Sequence, residues 1–130
     1  MTDQELIDQF ENCTLPDECF HHREHVRVAF LYLTRYSVLD ALQVFSKTLR
    51  RFAEARGKPQ LYHETITWAY VFLIRERMAR NGKNQSWDEF SSSNPDLLVW
   101  KDGILTRYYR PETLTSNLAR AVFVLPELRT

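Results

Sequence analysis

The chain has 130 residues, of which 44% are hydrophobic and 13% aromatic, and its 17 Lys plus Arg balance 17 Asp plus Glu. That content supports a real core without disulfides or repeats, and the missing basic excess argues against nucleic acid as a partner. The longest apolar runs fall far below the ~20 residues that span a bilayer, so a membrane partner is not expected either.

Three glycines and five prolines leave room for long regular elements. The opening stretch "MTDQELIDQFEN" is acidic and polar and does not resemble a signal peptide. A cytoplasmic protein with free cysteines at Cys13 and Cys19 is therefore expected. "TDQE" from Thr2 matches a capping box and predicts a short helix from Asp3 to Asn12. "CTLPDECF" reads as a turn. A helix then runs from His21 to Arg35, with Val26, Ala29, Phe30 and Leu33 on one stripe. "SVLD" from Ser37 opens the next, striped by Val38, Leu42, Phe45, Leu49 and Phe52 and ended by "RGKP". A long helix covers Leu61 to Arg80. "SWDEF" from Ser86 begins a short one, and the remainder is segmented, with a closing "FVLPELRT" that reads as extended or loose. The fold class is all-α: a compact helical bundle of three to four main helices with a segmented helical C-terminal third, in one domain over residues 1–130.

The chemistry concentrates at two helix starts. At 100° per residue, His22 falls almost on the apolar stripe of its helix and His25 about 60° from it. Imidazole on a buried face needs either a metal or a hydrogen-bond partner. On the helix from Leu61, His63 lies mid-stripe with Ile66, Thr67 and Tyr70, Glu64 lies on the shoulder, and Thr67 can offer its hydroxyl one turn on. With the intervening helix returning the chain, both starts fall at the same end. His22, His25 and His63 then converge as ligands of a divalent first-row metal (Zn, Fe or Mn), with Glu64 as a fourth ligand or general base.

Two other patterns compete. His21, His22, Arg23, Glu24 and His25 spell H-x-x-E-H, an inverted zinc-protease motif, but the projection puts His21 and Glu24 off the core face. Cys13, Cys19, His22 and His25 have the ligand types of a structural zinc site, with an unfamiliar gap between the cysteines. A metal-free polar pocket or His/Glu acid–base site is the further alternative, and purely structural histidines the plainest one.

"F-x-H-x-x-H-x-R-x-A" (Phe20, His22, His25, Arg27, Ala29) and "Y-H-E-T-x-T-x-A" (Tyr62, His63, Glu64, Thr65, Thr67, Ala69) form a pair of signatures. With the tail "S-N-L-A-R-A-V-F-V-L-P" from Ser116, they resemble a family of small, all-helical bacterial proteins of unassigned function. The resemblance covers residues 20–126 and supplies no activity. It implies that His22, His25 and His63 matter more than His21, and that Arg120 belongs to the site or supports it. The expected protein is thus a metal-dependent enzyme acting on a small, anionic or neutral organic substrate, with homo-oligomer formation left open. The alternative is a non-catalytic metal- or ligand-binding module with structural histidines.

Overall fold

The computed structural model describes residues 1–128, and these contain helices, turns and no strand. Seven α-helices follow one another: α1 (Asp3–Glu11), α2 (His22–Arg35), α3 (Val38–Ala55), α4 (Glu64–Asn81), α5 (Trp87–Ser93), α6 (Pro111–Leu114) and α7 (Asn117–Ala121). Short 3-10 turns at Asp17–Cys19, Pro59–Leu61, Pro95–Leu98 and Ile104–Arg107 link them. No helix among the described residues is long and apolar enough to cross a membrane.

Local chemistry sets the boundaries. Thr2 and Glu5 form the capping box of α1, and Ser86 and Glu89 that of α5. Ser37 caps α3 by accepting the Asp40 N–H. Gly82 closes α4 in the left-handed conformation at φ +69°, where a side chain would be strained. The expected start of α4 at Leu61 moves to Glu64. Pro59 turns the chain into a 3-10 segment through Leu61, and His63 takes the capping position. Likewise α2 begins at His22, with the His21 N–H donating to Glu24 Oε1 at 2.8 Å. Glu24 of the H-x-x-E-H spelling is thus engaged in a backbone cap.

The three longest helices, α2, α3 and α4, pack on one another, and α2 also meets α1, α5 and the Pro95–Leu98 turn. Neighbours on so many sides explain why seven of its fourteen residues are buried: Val28, Leu31 and Tyr32 join the expected stripe of Val26, Ala29, Phe30 and Leu33. The core fills with Leu6, Ile7 and Phe10 of α1, Leu42, Phe45, Leu49 and Phe52 of α3, Tyr70 and Ile74 of α4, and Phe90 and Tyr109. Arg27 forks onto Asp3 Oδ1 at 3.0 and 2.6 Å, tying α2 to α1. The tail is extended but not loose. The Thr65 hydroxyl donates to the Val122 carbonyl at 2.9 Å and accepts the Val124 N–H at 3.0 Å, while the Tyr109 hydroxyl donates to the Val124 carbonyl at 2.7 Å.

Candidate functional site: a histidine-lined cavity

The starts of α2 and α4 open onto one cavity of about 410 Å³. His22, His25, His63, Thr67, Tyr70, Trp100 and Arg120 line it together with Phe20, Val26, Phe45, Leu49 and Ile66. The expected meeting of the three imidazoles thus takes the form of a shared cavity wall. They do not form a three-ligand cluster: among the described residues, no three His, Cys, Asp or Glu side chains are grouped to hold a metal ion. Cys13 and Cys19 are free thiols outside this wall.

Hydrogen bonding explains what each ring can do. His63 accepts the Ile66 N–H at Nδ1, 3.1 Å, and caps α4. A carbonyl only accepts, so the 2.7 Å contact from His63 Nε2 to the Leu114 oxygen puts the proton on Nε2. Both ring nitrogens are then committed to backbone, and neither offers a lone pair to the cavity. His63 is buried, and burial holds its pKa below the ordinary imidazole value, helped by the Arg120 charge and opposed by the Leu114 bond. Its projection onto the inner stripe was legible in the sequence; its capping role was not, because histidine is an uncommon cap.

His22 places Nε2 2.9 Å from the Leu97 carbonyl, so it too carries its proton there and keeps Nδ1 as a free acceptor. That carbonyl is positioned through a relay. Arg77 of α4 forks onto Asp96 at 3.0 and 2.8 Å and reaches Asn94 at 2.9 Å, fixing the Pro95–Leu98 turn. Burial lowers the His22 pKa, partly offset by the Leu97 bond. His25 stacks on Phe20, ring centroids 4.1 Å apart, and its ring has no hydrogen-bond partner among the described residues. Burial, with the neighbouring His22 charge, pushes its pKa down to about 3. At neutral pH the cavity therefore meets neutral rings at His22, His25 and His63.

The remaining expected site residues divide. The Thr67 hydroxyl lines the cavity but donates to the His63 carbonyl at 2.7 Å, an i−4 backbone bond. Arg120, on α7, lines the cavity and donates Nη1 to the Gln60 carbonyl at 2.5 Å. Glu64 is not in the cavity wall. Its Oε1 accepts from the Tyr62 hydroxyl at 2.5 Å and Trp68 Nε1 at 3.0 Å, and its Oε2 from Arg50 at 2.8 Å. That network stands over a separate groove between α3 and α4, which Glu64 lines.

Tyr70, expected on the inner stripe of its helix, and Trp100, one of several aromatics expected in the core or beside a pocket, both line the cavity. Tyr70 meets His22 edge-on at 4.8 Å, and burial with the Asp96 charge raises its pKa to about 12, so it stays a neutral donor. Trp100 lies 5.1 Å from His22 and is 58% exposed, which places it at the mouth. Its turn needs Gly103, where a Cβ would collide with the Val99 carbonyl oxygen. Comparison with protein-family models, with curated proteins and with solved structures finds no match for this chain.

Proposed function

We propose that the protein binds a small, mostly apolar organic molecule in this cavity, at the end of a bundle built on α2, α3 and α4. Its histidines recognise a hydrogen-bond donor on that molecule. The carrying observation is a pair of neutral rings, His22 and His25, with unused acceptor nitrogens set among Phe20, Val26, Phe45, Leu49 and Ile66. A ring with a pKa near 3 is a weak base at neutral pH, since efficient general bases lie near the working pH. Recognition therefore fits His25 better than unassisted proton abstraction.

A metal-dependent enzyme is a second reading, and one observation favours it: metal binding requires neutral imidazole, and His22 and His25 are both neutral. In that reading those two rings and the substrate or water supply the ligands, and His63 serves as the cap that orients α4. Ring ¹⁵N NMR of the histidines separates the readings. Apolar fragments bearing one O–H or N–H, such as phenol, are expected to shift the His22 and His25 resonances more than toluene does. Zinc, iron(II) or manganese shifting or broadening the same two resonances at stoichiometric concentration favours the metal reading. Fragments and metals that leave both rings untouched defeat the site.

A further inference from the structure

The cavity wall carries permanent charge at one place only. No Asp or Glu lines it, and Arg120 is its one Lys or Arg side chain. Three cations beside neighbouring openings pair with acids. In the adjoining cavity, which shares Phe20, His25, Leu49 and Leu61 with this one, Arg56 and Lys58 converge on Asp17 at 3.3 and 3.5 Å. In the groove between α3 and α4, Arg50 pairs with Glu64 at 2.8 Å. Arg120 has no acidic partner among the described residues; its one hydrogen bond uses Nη1 on the Gln60 carbonyl.

That leaves Nε and Nη2, the two atoms of one guanidinium edge. This edge presents two parallel donors that match the two oxygens of a carboxylate. A guanidinium beside an apolar cavity is stabilised by one counter-charge, and a second negative charge would be left uncompensated there. Apart from the histidines and Thr67, the remaining wall is apolar or aromatic, suited to a hydrocarbon or aryl body.

We propose that the natural ligand is an apolar organic monocarboxylate, its carboxylate forked on Arg120 and its body lying between Phe20, Phe45, Leu49 and Ile66. This inference rests on the ligand-binding reading above and narrows its chemistry: the carboxylate goes to Arg120, and the hydrogen-bond donor that His22 and His25 accept sits elsewhere on the body. The bound anion places negative charge in a cavity whose imidazoles are kept neutral by burial, so it favours their protonated forms.

The test compares hexanoate with 1-hexanol, which share a chain, one carrying the carboxylate for Arg120 and the other only an O–H donor for the histidines, by isothermal titration calorimetry on the whole chain. Hexanoate is expected to bind at least tenfold tighter than hexanol, and Arg120→Gln to abolish that preference while hexanol affinity stays within about twofold. If Arg120→Gln does not fold by circular dichroism, Arg120→Lys keeps the charge but loses the fork, and a several-fold loss for hexanoate alone is expected. Equal binding of the two probes by the wild-type protein overturns the proposal, as does a preference for hexanoate that survives substitution of Arg120. Hexanol binding that shifts His22 and His25 without any preference for hexanoate leaves the ligand-binding reading standing and removes only the carboxylate. Binding of neither probe removes both.

Discussion

At the scale of single residues, the histidines are four chemically different groups. His21 is exposed and lends its backbone N–H to Glu24. His22 is anchored through one nitrogen, His25 through neither, and His63 through both. The count of anchored nitrogens decides what each can do for a ligand. His63→Ala removes an N-cap acceptor and leaves the Leu114 carbonyl without its donor, so it is expected to cost about 1–3 kcal/mol. Urea denaturation checks this. A loss below a few tenths of a kcal/mol would show that His63 does not hold the α4 start. Because the same ring offers no lone pair to the cavity, ring shifts of His22 and His25 on adding a fragment should persist in the variant.

At the scale of elements, the C-terminal third closes the site. Leu97 and Leu114, which receive His22 and His63, both lie in short segments after α5. α7 brings Arg120, and Thr65 of α4 clips the tail on both sides of Phe123. Thr65 is fully buried, so Thr65→Val keeps the shape and strands the Val124 N–H and Val122 carbonyl. The expected cost is about 1–3 kcal/mol, and the local signature is faster amide hydrogen exchange at Val124. Unchanged exchange there would mean that the tail is held by Tyr109 and Glu127 instead. The helix starts were legible where the cap was Thr2, Ser37 or Ser86, since a hydroxyl before an apolar repeat is a local signal. The start of α4 was missed by three residues because Pro59 and His63 together set it, and neither is read by apolar periodicity.

At the scale of the whole molecule, neutral histidines make folding pH-dependent, His63 buried and His22 and His25 half-buried. Unfolded imidazole titrates near 6.5, whereas folded His25 does so at about 3, with His22 and His63 also lowered. Below pH 6.5 the unfolded chain takes up protons that the native one refuses. This stability is complete above 6.5 and is lost with acid at about 1.4 kcal/mol per pH unit for each ring that stays neutral. Asp96, Glu89 and Glu127, whose pKa values are lowered, add a loss in the same direction only in the carboxylate range. The window from pH 6.5 to 5 therefore isolates the histidines. The denaturation midpoint should fall across it, and less steeply for His25→Gln. Equal slopes for the two proteins would mean that His25 is not held neutral.

By itself, the sequence determined the all-helical class, most helix boundaries, and the placing of His22, His25 and His63 on inward faces. Those follow from spacing along one chain, where each residue's neighbours are three or four positions away. Only the tertiary structure decided which nitrogens stay free, that Glu64 turns to Arg50 and Trp68, and that Arg120 reaches the same cavity. Decisive partners lie far off in sequence: Arg50 is 14 residues from Glu64, and the Leu97 carbonyl is 75 from His22. Carbonyls belong to every residue alike, so no residue letter announces them.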